Sequence, residues 1–148
     1  MDWQAHSDLH GGRLSDTALW GVQRNDIDTA WPAVREIISD ALERSGRHTP
    51  EEILSDLRSG EAQLWLAWAD DAILGVCVTY IMESERKKVC RLWLCTGHDR
   101  KRWVHHVKTI EEWAQSVGCH AMDAVVRPGW EKVLRDYKKT HVILEREL

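Results

Sequence analysis

A glycine and a run of charged residues directly follow an apolar segment in the second half of the chain. Residues 91–96 read RLWLCT, and GHDRKR follows at 97–102. Backbone N–H groups and basic side chains at the end of a strand can bind the phosphates of a ligand. The same six residues could instead be a turn and the solvated first turn of a helix. The chemistry of the chain depends on which interpretation holds.

The cysteines and the N-terminal histidines form no recognised metal-binding pattern. The cysteines are Cys77, Cys90, Cys95 and Cys119. They lack the paired C-x-x-C spacing of zinc sites, so we expect reduced, mostly buried thiols. His6 and His10 stand four residues apart, as metal ligands on a helix can, but Gly11-Gly12 follows and no third ligand is evident. We therefore expect no metal.

Missing motifs and the overall charge exclude several function classes. The chain has no G-x-S-x-G of a serine hydrolase, no Walker loop and no Rossmann fingerprint. It carries 20 basic and 24 acidic residues, a net charge of −4, which gives no electrostatic attraction to nucleic acid or to an anionic membrane. No apolar run approaches the ~20 residues of a membrane span. The start, MDWQAHSDLHGG, lacks the features of a signal peptide, so we expect a cytoplasmic protein.

The first half of the chain predicts a polar arm, a strand and two helices. Residues 1–16 are polar and without periodicity, and residues 18–23 (ALWGVQ) read as a short strand. An apolar stripe at helical spacing then runs from Trp31 to Leu42. Thr49-Pro-Glu-Glu52 is a capping box with proline at the first helical position, and it predicts a second helix that ends at Gly60.

The hydrophobic period then changes from 3.6 to 2, which predicts three strands. They cover residues 63–69, 72–82 and 88–96, and short turns join them. Strands joined by such short turns pair as an antiparallel meander. We expect the middle strand to be buried on both faces, because it is β-branched and has few charges.

The last third returns to helical periodicity and then alternates. Trp103, Val107, Ile110, Ala114 and Val117 share one face of a long helix that begins near Asp99, which leaves His105 and His106 mostly toward solvent. Residues 121–126 read as a strand parallel to 88–96, residues 130–137 as a short helix, and 141–147 as a last strand. The predicted fold is a mixed α/β (α+β) single domain over 17–148, with the order β-α-α-β-β-β-α-β-α-β.

This order of elements resembles the GNAT acyltransferase superfamily, which transfers acetyl groups from acetyl-CoA to amines. The resemblance covers residues 18–147. The segments that carry it are LWGVQ, WPAVREII, QLWLAWADDAILGVCVTY, RLWLCTG with the amphipathic helix behind it, and WEKVLRDY. The segments LWLAW, EEWAQSVGC and RPGW are also similar to segments of small GNAT-like proteins of tailed phages. The resemblance implies a mostly antiparallel sheet with helices on both faces.

The resemblance also implies a cofactor site for acetyl-CoA. The fourth and fifth strands of the family separate, the pantetheine arm enters between them, and the pyrophosphate lies at the start of the following helix. The residues that correspond are Leu94, Cys95 and Thr96 for the pantetheine, and Gly97, His98, Arg100, Lys101 and Arg102 for the phosphates. The family's phosphate loop has further small residues where this chain has only Gly97, so the three basic side chains would have to compensate.

Two residues correspond to the acid and base that amine acetylation requires. Glu83, at the end of the predicted middle strand, is the candidate base, with Glu85 as an alternative. Tyr137 is the candidate acid that would reprotonate the thiolate. Each assignment has a structural alternative: Glu83 could be an ordinary surface carboxylate, and Tyr137 could be a core tyrosine with a bonded hydroxyl.

A second interpretation makes the chain a GNAT-shaped protein that has lost the chemistry. The altered phosphate loop and the nine tryptophans favour it, since tryptophan is enriched where proteins meet. Such a protein would act as a phage virion or assembly component, with the polar arm binding a structural partner, in the host cytoplasm or the virion. The first interpretation instead requires a small-molecule or protein amine as the acceptor.

Overall fold

In the part of the chain that the structure describes, six strands follow one another across a single sheet in the order in which they occur in the chain. This computed structural model describes residues 16–148 and the backbone of a two-residue strand near the N-terminus; most of the predicted arm, with His10, lies outside the described residues. The strands are β1 (His6–Ser7), β2 (Ala18–Val22), β3 (Ala62–Ala69), β4 (Ala72–Glu83), β5 (Lys88–Gly97) and β6 (Ala121–Ala124). Neighbours from β1 to β5 are antiparallel, and β5 and β6 are parallel. The predicted meander and the parallel crossover are confirmed.

Between residues 16 and 148, four α-helices cover the two faces of this sheet. They are α1 (Ile27–Glu43), α2 (Pro50–Ser59), α3 (Arg100–Trp103) and α4 (Val107–Ser116). The Tyr80 hydroxyl donates to Asp56 on α2, whereas Thr79 bonds to Trp65, whose ring contacts Trp113 on α4. Adjacent residues of a strand point to opposite faces, so α2 and α4 lie on opposite sides of the sheet. The expected mixed fold with helices on both faces is confirmed.

The start of α2 follows the predicted capping box. Thr49 is extended and its Oγ1 accepts a hydrogen bond of 3.3 Å from the N–H of Glu52, while Pro50 takes the first helical position. Gly60 ends the helix in the left-handed conformation. Ile53 and Leu57 are fully buried, so this short helix is held by its caps and by one apolar face.

The predicted long helix after β5 is interrupted, and the prediction of one continuous helix was wrong. A 3-10 turn, Val104–His106, separates α3 from α4. The Thr17 hydroxyl donates to the carbonyl oxygen of Arg102 at 3.0 Å, and Thr17 Oγ1 also lies 2.9 Å from Nε2 of His106. His106 is therefore buried rather than solvated. The Arg102 carbonyl accepts from Thr17 at the point where a regular helix would pair it with a backbone N–H four residues later.

The C-terminal elements are shorter than predicted. β6 ends at Ala124, and the expected helix over 130–137 is one 3-10 helix, Pro128–Lys132, whose turn buries Trp130 while Leu134 is buried just beyond it. The expected strand over 141–147 is absent, since residues 141–148 have no regular structure and are exposed. A strand requires a paired neighbour as well as a suitable pattern. Among residues 16–148, no helix is long and apolar enough to cross a membrane.

Candidate functional site

Strands β5 and β6 separate halfway along β5. They pair from Val89 with Ala121 to Leu92 with Ala124, and the N–H of Val125 donates to the carbonyl of Leu92. On the other side of β5, Val78 pairs with Leu94 and Thr79 with Leu92, so Trp93 is an extra residue. Such a bulge bends a strand and leaves the extra residue without a ladder partner. The bulge and the separation coincide, and the sheet opens there.

A cleft of about 810 Å³ occupies this opening. One wall comes from the end of α1 and the loop behind it (41–48), the second from residues 93–100, and the third from residues 125–130. The elements that build it are far apart in the chain. Only the folded sheet brings the end of α1 against the second half of β5.

The wall of the cleft is basic although the chain as a whole is acidic. Its charged residues and histidines are Arg44, Arg47, Arg100, Arg127, His48, His98 and Asp99. The wall thus has four guanidinium groups and one carboxylate, in a protein with a net charge of −4, and one of the four, Arg47, is paired with Glu145 beside the wall. A cleft lined by one sign of charge attracts a ligand of the opposite sign. The wall fits an anionic ligand such as one that carries phosphates.

Six of the eight residues predicted to bind the cofactor line this cleft. They are Leu94, Cys95, Thr96, Gly97, His98 and Arg100. Lys101 is exposed and not part of the wall. Arg102 also lies outside the wall, where its Nη2 is 2.6 Å from an oxygen of Asp16. That contact raises the pKa of Arg102 and lowers the pKa of Asp16.

The loop that leaves β5 has a conformation that only glycine fits. Gly97 has φ 144°, and a Cβ at this position would lie 2.1 Å from the carbonyl oxygen of Leu74. The next N–H, of His98, donates to the same oxygen at 2.9 Å. The carbonyl of His98 accepts from Nε1 of Trp103 at 2.8 Å. These bonds define the path by which the chain reaches α3.

Arg100 is the basic residue of this loop that the structure directs into the cleft. Its guanidinium carbon lies 4.9 Å from the ring centre of Trp130, which the third wall contributes. A guanidinium over an indole gains a cation–π interaction and is held in place by it. Asp99, expected as the helix cap, occupies the cap position in the left-handed conformation (φ 52°), and its side chain makes no capping bond.

The two predicted catalytic residues are not brought together. Glu83 is the last residue of β4 and pairs with Lys88. The bulged Trp93 comes five residues after Lys88 along β5, roughly 17 Å away at 3.3 Å per residue. The Tyr137 hydroxyl donates to Glu111 on α4 at 2.7 Å. Burial, and then this bond, raise the pKa of Tyr137. Neither side chain is part of the cleft wall.

His48, which was not among the predicted site residues, is part of the cleft wall. Nδ1 of His48 is 3.0 Å from Oε2 of Glu52, and its ring lies edge-on to Trp93 with 5.1 Å between ring centres. Tyr80 contacts Trp93 from another direction, at 5.6 Å. Burial and the bond to Asp56 raise the pKa of Tyr80. The signal in the sequence was the spacing of four between His48 and Glu52, which overlaps the capping box.

The cysteines are free thiols and none is part of a metal cluster among the described residues. Cys77 and Cys95 pair across β4 and β5, with 2.8 Å between their sulfur atoms. This contact, and then burial, raise the pKa of Cys95 well above its ordinary value. Burial raises the pKa of Cys90 to about 12. Both thiols are therefore poor nucleophiles at neutral pH.

No protein-family model matches the chain, and no curated protein sequence matches it. Solved structures do. An aminoglycoside acetyltransferase from an uncultured soil metagenomic sample, in complex with sisomicin, superposes with a TM-score of 0.66 at 11% identity, over 89% of this chain and 96% of that one. The chain has the GNAT fold.

Two further structures with the GNAT fold are also similar to this chain. A ribosomal-protein-alanine N-acetyltransferase from Brucella melitensis has a TM-score of 0.62 at 13% identity and covers 89% of this chain and 98% of its own. An aminoglycoside N-acetyltransferase in complex with CoA has a TM-score of 0.60 at 14% identity, over 99% of this chain and 98% of that one. Likeness at these identities shows the fold, and the resemblance to tailed-phage proteins stays a prediction.

Proposed function

We propose that the chain is an N-acetyltransferase that uses acetyl-CoA and an amine acceptor. The observation that carries this proposal is the basic cleft at the opening between β5 and β6. A GNAT fold alone would not specify a ligand. Four arginines line the cleft of an acidic protein, and within residues 16–148 only Arg47 among them is paired with a carboxylate from outside the wall, Glu145. Such a wall favours a polyanionic ligand, and CoA is a polyanion.

The walls offer separate places for the two parts of CoA. Residues 93–96 of β5 face the cleft without a strand partner from β6, so their backbone groups can pair with the amides of a pantetheine arm. Arg100 and Arg127 flank the loop that begins at Gly97 and can pair with phosphates. We assign no direct phosphate contact to Lys101 or Arg102, because both lie outside the wall.

This arrangement compensates for the small residues that the loop lacks. In place of a wide glycine-rich backbone cradle, the chain has one glycine and a guanidinium held against Trp130. A stacked arginine is pre-organised, so little side-chain entropy is lost when it binds a phosphate. We therefore infer phosphate binding through side chains more than through the backbone.

Acetyl-CoA would supply the thioester carbonyl that the amine attacks. The bulge at Trp93 would orient that carbonyl, since a bulged residue keeps unpaired backbone groups. Tyr137 remains the candidate acid for the leaving thiolate. Its raised pKa keeps it protonated, but its hydroxyl is bonded to Glu111, so it would have to exchange that partner.

The proposal is tested by acetyl transfer. The protein is incubated with acetyl-CoA and a panel of primary amines that includes sisomicin and a peptide with N-terminal alanine, and thiol release and product mass are followed. We expect acetylation of at least one amine at a rate proportional to protein concentration. No acetylated product from any amine in the panel, with folded protein, would contradict the proposed function.

The alternative is a GNAT-shaped interaction protein, such as a phage virion or assembly component. The observation that favours it is the loop at 97–102, where only Gly97 is small. This alternative predicts no response to CoA and no acetylation of amines. The same assay therefore decides between the two functions.

A further inference from the structure

We propose that His48 accepts the proton of the acceptor amine and that Glu52 is its positioning residue. This inference rests on the proposed acetyl transfer and deepens it, because it assigns the base that amine acetylation requires. It replaces Glu83, which lies at the far end of β4, in that role. His48 is 41% exposed at its side chain and forms part of the cleft wall, so an amine can reach it.

The partner of Nδ1 determines which nitrogen of His48 is the base. Oε2 of Glu52 lies 3.0 Å from Nδ1, and a carboxylate only accepts hydrogen bonds, so Nδ1 must carry the proton. Nε2 of the neutral ring then holds a lone pair. Among residues 16–148, no side chain or backbone group hydrogen-bonds to Nε2 of His48. This is the arrangement of a base oriented by a third group.

The position of His48 matches the place where the acetyl group would lie. Its ring contacts Trp93, the extra residue of β5, at 5.1 Å between ring centres. The bulge is where β5 leaves β6 and where unpaired backbone groups can bind a carbonyl. Trp93 and Glu52 thus both hold the imidazole, which forms part of the cleft wall.

The other titratable groups of the wall are less suited to this role, including Cys95, whose thiol contacts Cys77 and has a raised pKa. His98 and Asp99 belong to the loop after β5, at the end of the cleft where the phosphates would bind. Asp99 also lies 3.9 Å from Arg102. The remaining charged wall residues are arginines, which stay protonated and cannot act as bases. Of the wall residues, His48 alone combines a free basic nitrogen with contact to the bulge.

The proposed step balances in atoms and charge. The acceptor ammonium gives one proton to Nε2 of His48, and its nitrogen forms a bond to the acetyl carbon while the carbon–sulfur bond breaks. The attacking nitrogen loses a second proton as the amide forms, and the leaving thiolate gains one proton, which Tyr137 would relay if it acts as the acid. His48 then releases its proton to solvent. The products are the acetylated amine, CoA with a free thiol, and one proton.

The test compares three variants with the unchanged protein. His48→Ala removes the base, and Glu52→Gln replaces the carboxylate that orients it with a neutral amide, which can turn its NH2 group toward Nδ1. His141→Gln is the control, since His141 is exposed and outside the wall. Three quantities are measured: acetyl transfer with and without added imidazole, the melting-temperature shift with acetyl-CoA, and carbethoxylation of His48 by diethyl pyrocarbonate, located by mass spectrometry.

We expect His48→Ala to lower kcat about 100-fold or more, as loss of a general base does. The melting-temperature shift that acetyl-CoA causes should stay unchanged in this variant. Imidazole should restore part of the rate to this variant and not to the others. Glu52→Gln should cause a smaller loss, and His141→Gln none. In the unchanged protein, bound acetyl-CoA should slow carbethoxylation of His48.

Two outcomes overturn the inference in different ways. If the unchanged protein acetylates an amine and His48→Ala does so at the same rate, or if imidazole restores nothing, His48 is not the base and the proposed function stands. If the unchanged protein neither binds acetyl-CoA nor acetylates any amine, the proposed function fails and the inference fails with it.

Discussion

Gly97 and Arg100 decide how the loop after β5 meets a ligand. Gly97 allows the chain to pass within contact of Leu74, and Arg100 extends over Trp130 into the cleft. Both residues were candidates from the sequence alone, because a glycine before basic residues after a strand is a recognisable pattern. The contacts that separate Arg100 from Arg102 could not be predicted, since Asp16 and Trp130 come from distant segments.

A substitution at Gly97 should destabilise the fold. A methyl group there would meet the Leu74 carbonyl oxygen at 2.1 Å in a conformation that L side chains rarely adopt. We expect Gly97→Ala to lower the free energy of unfolding by about 3 kcal/mol or more, measured by urea denaturation. Gly129→Ala is the matched control, because a Cβ at Gly129 has nothing within 4 Å. Equal stability of the two variants would refute this account of the loop.

At the scale of elements, the sequence predicted the starts of most elements and the strand pairings of the sheet, and it failed where a distant residue or a missing neighbour decides the structure. The capping box of α2 and the turn between β3 and β4 depend on neighbouring residues, and both are where the sequence indicates. The break between α3 and α4 depends on Thr17, which lies 85 residues from Arg102 in the sequence. The strand expected over 141–147 needed a neighbour to pair with, and a pattern of apolar residues does not reveal one.

The capping box should contribute measurably to stability. Thr49→Ala removes the acceptor of the Glu52 N–H, and we expect a loss of about 1 kcal/mol in the free energy of unfolding. Thr49→Ser keeps the hydroxyl and should lose far less. Urea denaturation of both variants checks this. A loss of the same size in both would mean that the hydroxyl does not cap α2.

At the scale of the whole molecule, the fold was predictable and the cleft was only partly so. The order of elements implied a GNAT fold, and the solved structures agree. The cleft contains six of the eight predicted cofactor residues, but its basic character also comes from Arg44, Arg47 and Arg127. These belong to the end of α1 and to the segment after β6, so their charges converge only after folding. The same holds for the contact of His48 with Trp93.

The most direct test of the central claim is a thermal titration with acetyl-CoA. A ligand that binds only the folded state stabilises it by about 2.7 kcal/mol at a hundredfold excess over Kd, roughly 5–10 °C for a chain of this size. Arg100→Ala should reduce the shift, while Arg135→Ala, an exposed control outside the wall, should not. We predict a dose-dependent rise in Tm that high salt diminishes. A Tm unchanged at millimolar acetyl-CoA would contradict the account.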